Sequence, residues 1–164
     1  MSLFINIDTH YLPAYTPGQV VHVYVSGGEE VAGLNLNIST DAGTITHLDA
    51  LSGIFAGGNA TVPGDTGIYD EGHLGIVYVA TVAGSVPASG LVATVWLDTG
   101  APGLFSFDFV DTLNGPTEFI AWPSVEVLIP TQGDMTVQVA SVPEPSALAL
   151  LGLGGLLILR KGRR

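Results

Sequence analysis

The chain contains no cysteine. That excludes disulfides, thiolate metal sites and cysteine nucleophiles. A body of about 140 residues buries roughly two-thirds of its unfolded surface, so it does not need such staples. Basic residues are nearly missing as well. The four present, Arg160, Lys161, Arg163 and Arg164, all fall in the last five positions, whereas residues 1–142 hold every acid except Glu144, 14 of 15, with no Lys or Arg among them. A surface of that sign cannot make the cationic contacts on which phosphate recognition depends, so DNA, RNA and nucleotides are excluded as ligands. Cations and neutral sugars suit it better, and the simplest role of the acidity is to keep the domain soluble.

Catalytic patterns are lacking too. His10, His22, His47 and His73 show no His-Glu-x-x-His spacing, and no Gly-x-Ser-x-Gly elbow occurs. Carboxylate pairs such as Asp108 with Asp111, or Glu29 with Glu30, carry no weight in a chain this acidic. The expectation is a protein that is not an enzyme. The opening Met1-Ser2-Leu3-Phe4-Ile5-Asn6-Ile7-Asp8 has neither the positive charge nor the apolar run of a secretory signal peptide. Phe4, Ile5 and Ile7 read instead as a first strand.

What fills Leu3 to Val142 is a series of short alternating or apolar runs broken by Gly, Pro, Asp and Asn, and none sustains a helical period. Strands are expected at Val20–Val25, Val31–Ser39, Thr44–Leu51, Leu74–Val82, Leu91–Asp98, Leu104–Val110, Phe119–Ile129 and Met135–Ala140. With the first strand this makes about nine in residues 1–141, an all-β, two-sheet sandwich of jelly-roll type. Period-two alternation points Val21, Val23 and Val25 inward, with Leu34, Leu36, Ile38, Leu91, Ala93, Val95, Leu97, Phe105, Phe107 and Phe109. It points Asn35, Asn37, Val92, Thr94 and Trp96 outward.

Two patches in this body have ligand chemistry. Trp96 on an outward face suits stacking against a sugar ring, with Trp122, Tyr24, Tyr69 or Tyr78 as partners in a platform; the plain alternative is that a loop or sheet covers it. Asp65, Asp70 and Glu71, in a Gly-rich loop from Gly53 to Gly72, supply hard oxygen ligands for calcium, although without EF-hand spacing. A solvated acidic loop is the plain alternative there. No other cofactor is implied.

The last 23 residues differ from everything before them. Pro143 and Pro145 bias Val142 and Glu144 toward extended backbone. A helix is expected over residues 146–159. Its apolar part, Ala147–Leu159, is formed by Ala147, Leu148, Leu150, Leu151, Leu153, Leu156, Leu157, Ile158 and Leu159 among small residues. At ~1.5 Å per residue that part reaches about 20 Å, short of the ~30 Å hydrocarbon core of a bilayer. The basic residues 160–164 extend its reach by snorkelling and place the tail on the cytoplasmic side, with the body outside.

Val142-Pro143-Glu144-Pro145, an apolar helix and a basic end, in that order at the terminus, resemble the PEP-CTERM sorting signal of Gram-negative bacteria. That resemblance implies an exported protein, held transiently in the inner membrane by its C-terminal helix and cut by an exosortase. It also implies release to the cell surface or extracellular matrix, with extracellular polysaccharide as a candidate partner. Since the opening residues Met1–Asp8 show no export signal, one is expected upstream or already removed.

The body is similar to the cohesin-like, carbohydrate-binding-type sandwiches of bacterial surface proteins. The residues that carry this are Pro17-Gly18-Gln19-Val20-Val21-His22-Val23-Tyr24-Val25, Val31-Ala32-Gly33-Leu34-Asn35-Leu36-Asn37-Ile38, Ser89-Gly90-Leu91-Val92-Ala93-Thr94-Val95-Trp96-Leu97 and Gly103-Leu104-Phe105-Ser106-Phe107. Where that family commonly has a Tyr-Asp-Pro-like turn, this chain reads Ser39-Thr40-Asp41-Ala42-Gly43. The resemblance implies scaffolding, adhesion or sugar binding, with a calcium-assisted carbohydrate-binding module as the alternative to a structural or interaction role.

Overall fold

A computed structural model describes residues 2–113 and 115–141. Val-rich and alternating runs separated by Gly and Pro turns form β1 (Phe4–Ile7), β2 (Tyr11–Pro13), β3 (Gln19–Ser26), β4 (Glu30–Thr40), β5 (Gly43–Asp49), β6 (Asn59–Thr61), β7 (Ile68–Tyr69) and β8 (Leu74–Ala80). They continue as β9 (Val86–Pro87), β10 (Gly90–Thr99), β11 (Gly103–Phe109), β12 (Glu118–Ala121), β13 (Val127–Leu128), β14 (Thr131–Gln132) and β15 (Thr136–Ala140). The described helical structure is a single 3-10 turn, Asp70–Gly72.

These strands make two sheets. One has the order β14-β1-β3-β10-β5. The other runs β13-β12-β4-β11-β15-β2, with β8 and β9 also on β4, and β6 and β7 on β8. Ile5, Ile7, Val21, Val23, Val25, Ala93, Val95 and Leu97 of the first sheet share one core with Leu34, Leu36, Ile38, Val77, Val79, Phe107, Phe119, Val137 and Val139 of the second. Full burial of each large apolar side chain contributes about 1.5–3 kcal/mol, which makes this shared layer the main source of stability. The first and last strands close the sandwich by pairing in parallel, β1 with β14 and β2 with β15.

Two expectations need correction, and a third gains a detail. Phe119–Ile129 is not one strand: it turns at Trp122–Glu126, which includes a cis Trp122–Pro123 peptide, and returns as β13. Leu91 and Val92 exchange faces because a bulge between Leu91 and Ala93 pairs Leu91 with outward-facing Tyr24, leaving Val92 as the extra, buried residue. Asn35 and Asn37 do face away from the core, but they are buried, because the segment 115–117 lies over them.

The same segment lies where β4 changes partners. Its first half pairs with β12 and its second half with β11. In the gap, Thr117 replaces a strand. Asn37 N–H donates to Thr117 Oγ1 at 2.9 Å, and the same hydroxyl donates to Asn37 O at 2.9 Å. The Asn37 side chain adds Nδ2 to Gly115 O at 2.9 Å, and Asn35 Nδ2 donates to Pro116 O at 2.8 Å.

Candidate functional site

Among the described residues a large concavity opens on the outer face of the second sheet, where β4, β8 and β11 meet. It encloses about 690 Å³, within the range of small-molecule sites. Outward alternation on β4 and β11 supplies Ser39, Ser106 and Asp108; Leu74, Leu104, Phe105 and Val110 supply apolar surface; Asp41 and His73 come from adjoining turns. Ser106 Oγ donates to Asp108 Oδ2 at 2.7 Å, and Gln132 Nε2 donates to Asp108 Oδ1 at 3.3 Å. His73 Nδ1 lies 3.1 Å from Thr40 O and 3.5 Å from Asp41 Oδ1. The lining is rich in acceptors and hydroxyls, has no Lys or Arg, and suits a polyol better than an anion.

Of the expected calcium ligands, only Asp70 reaches this concavity. Asp65, Asp70 and Glu71 are all exposed and do not converge, because β7 pairs with β8 and separates Asp65 from the turn that follows. Among the described residues no group of three His, Asp or Glu side chains is arranged to hold a metal ion. The loop carrying Asp65 instead folds down onto β8: Ile76 N–H donates to Gly67 O at 2.8 Å. Gly67 has φ +70, and a Cβ there would collide with Ile76 O.

Trp96 does face outward, on the first sheet, but it is half-buried against its cross-strand neighbour His47, with ring centroids 4.9 Å apart. Tyr24 lies on the same sheet, while Tyr69, Tyr78 and Trp122 belong to β7, to β8 and to the turn after β12 in the other sheet. Of the expected platform partners, Tyr24 alone shares the sheet of Trp96. Tyr78 is also set apart by its environment: burial, and then neighbouring Tyr69, push its phenol above the ordinary 10.0. The concavity itself escaped the sequence reading. Its signal was the outward Ser106 and Asp108 on β11, which acquire meaning only once β11 pairs with Ser39 and Thr40 of β4.

The expected sorting residues Val142, Pro143, Glu144 and Pro145, the apolar segment Ala147–Leu159 with its helix, and the basic end Arg160, Lys161, Arg163 and Arg164 lie outside the described residues. Among the described residues no helix is long and apolar enough to cross a membrane. What the structure does show is the point of departure, since β15 delivers the chain to an exposed Ser141.

Residues 141–164 match the family described as the PEP-CTERM protein-sorting motif. The chain carries a PEP-CTERM sorting motif. Its bounds agree with the sequence reading to one residue, and it implies exosortase processing and export to the surface or beyond. No curated protein matches the chain. Among solved structures, the sandwich is similar to a non-cellulosomal cohesin from the hyperthermophilic archaeon Archaeoglobus fulgidus. That match has a TM-score of 0.64 and 13% identity, and covers 91% of this chain and 97% of that one. A cohesin module from a Clostridium perfringens family 33 glycoside hydrolase is similar at TM-score 0.56 and 10% identity, covering 86% of this chain and 98% of that one. At such low identity the likeness shows the fold alone, and the body ahead of the sorting motif is a cohesin-like sandwich.

Proposed function

We propose that this is a surface or extracellular-matrix protein of a Gram-negative bacterium. In this reading its sandwich plays a structural or interaction role, linked to exopolysaccharide or biofilm, and catalyses nothing. The observation that carries it is the sorting motif 141–164 placed directly after the last strand of a folded body. Ala147–Leu159 inserts in the inner membrane, Arg160–Arg164 stays on the cytoplasmic side, and the exosortase cuts near Pro143-Glu144-Pro145. Proline at 143 and 145 biases a chain toward extended backbone, the form in which proteases generally take substrates. Mass spectrometry of the mature C-terminus in a host with and without its exosortase tests this. A C-terminus in the Val142–Pro145 region that depends on the exosortase supports the reading, and an intact Arg164 in both hosts sinks it.

A second reading, neutral-sugar binding, is favoured by the concavity lined by Ser39, Asp70, Ser106 and Asp108 over Leu74 and Phe105. Apolar floor and carboxylate rim are the two elements that sugar rings and hydroxyls engage. A glycan array in calcium and again in EDTA separates the two. Binding lost on Asp108→Ala supports the sugar reading, and no binding in either buffer by folded protein removes it.

A further inference from the structure

The end of the sandwich from which the sorting motif departs is built from three segments without a charged residue. They are residues 11–18, 99–107 and 135–141, in a body with 14 carboxylates. They are tied tightly to one another. Ala14 N–H donates to Ala140 O at 2.7 Å, and Tyr15 N–H donates to Gly100 O at 3.1 Å. Thr99 Oγ1 accepts from Thr16 N–H at 2.9 Å. The carboxylates at the margin are Asp98, whose Oδ1 accepts from Gly18 N–H at 2.8 Å, Asp41, on the turn whose Ala42 O accepts from Gly100 N–H, and Asp70 and Asp108, which line the concavity that Leu104 borders.

Large side chains at this end point into water. Tyr11 is 78%, Tyr15 74% and Leu104 71% exposed. Tyr11 and Leu104 are both register partners of Gln138, so they lie on one face, one on each side of β15. Tyr15 has φ +51, a left-handed backbone that bulky residues avoid and that persists only where its surroundings fix it. The hydrogen bonds from Tyr15 and Thr16 do that here.

We infer that this end is a membrane-contacting face: while the tail holds the precursor, Tyr11, Tyr15 and Leu104 seat in the lipid headgroup layer beside it. The inference rests on the proposed insertion of Ala147–Leu159. Ser141 and Ala147 are six residues apart in sequence, so even fully extended chain separates them by no more than about 20 Å. The apolar run is itself shorter than the hydrocarbon core, which draws flanking residues toward the interface and shortens the tether. Tyr, amphipathic and uncharged, is enriched at that depth, whereas a carboxylate brought there loses solvation. Docking end-on holds Pro143-Glu144-Pro145 at the bilayer surface, at the height where a membrane-embedded protease works.

Because the chain has no cysteine, single introduced cysteines take a spin label uniquely. Ala101→Cys reports from this end, and Ser89→Cys from the other end of β10, about 30 Å away. The full chain is mixed with vesicles of phosphatidylethanolamine and phosphatidylglycerol. Flotation reads tail insertion, and the ratio of oxygen to nickel-chelate accessibility reads depth. The expected result is flotation, with the ratio several-fold higher at 101 than at 89. The pair Tyr11→Ser and Tyr15→Asn, the latter suited to left-handed backbone, should abolish that difference without ending flotation or lowering the melting temperature. Flotation with equal ratios at the two sites, or a difference that survives the Tyr substitutions, overturns the inference alone. Failure to float overturns the membrane-tail reading and the inference with it. Shielding at 101 without lipid that rises with protein concentration makes the face a contact between copies, and overturns it too.

Discussion

Thr117 performs the work of a missing strand with one hydroxyl. Removing that hydroxyl while keeping the shape, as in Thr117→Val, leaves buried Asn37 N–H without an acceptor; Asn37 O keeps Val110 N–H at 3.3 Å. One orphaned buried donor costs about 1–3 kcal/mol, so Thr117→Val should lower the urea midpoint by that equivalent while Thr117→Ser stays near wild type. Equal midpoints for the two variants would show that the hydroxyl is not needed. A second residue-scale effect is acid sensitivity at Asp8. Its desolvation raises the pKa, but hydrogen bonds from Thr9 and from the His22 side chain and backbone, with the His22 charge, outweigh this and leave it below the ordinary 3.8. A depressed carboxylate pKa stabilises the fold at pH values above the unfolded pKa, and that contribution is lost as pH falls through the folded one. Asp8→Asn should therefore flatten the fall of thermal stability between roughly pH 5 and 2, as read by melts in a pH series.

At the scale of elements, β11 carries the sharpest expectation. Phe107 is fully buried in the shared core. Phe107→Asp places a carboxylate where no cation can reach it and should unfold the domain, while Phe105→Asp, at a half-buried position, should leave a cooperative melt. Circular dichroism distinguishes the two. The same strand shows what sequence could and could not convey. Alternation read correctly on β3, on the core-facing residues of β4 and on most of β10, because one face of each meets the core and the period is fixed at two. It placed Asn35 and Asn37 outward, as they are, but could not show their burial, since an outward face is solvent-exposed only if no loop returns over it, and residues 115–117 return from about 80 positions away. It misread Leu91 and Val92 because a bulge has no mark in a run of apolar residues. The concavity was invisible for the first of these reasons: its walls come from β4, β8 and β11, far apart in the chain. The sorting motif, by contrast, was legible, because its information is local and linear.

For the whole molecule, the decisive property is the segregation of charge. Cutting near Pro143-Glu144-Pro145 removes Arg160, Lys161, Arg163 and Arg164 together. The product then keeps 14 or 15 acidic side chains, depending on the side of Glu144 that is cut, and no Lys or Arg, so on native gels it should migrate faster than the uncut chain and elute later from an anion exchanger. An unchanged elution for the exported form would mean the basic end is still attached. The parallel closure of the sandwich has a mechanical side. In β2 and β15 the chain runs the same way, so tension between Ser141 and the N-terminal side of β2 slides the two strands along each other and loads their hydrogen bonds together, in shear. A body pulled through its tail then resists as a clasp rather than opening bond by bond like a zip.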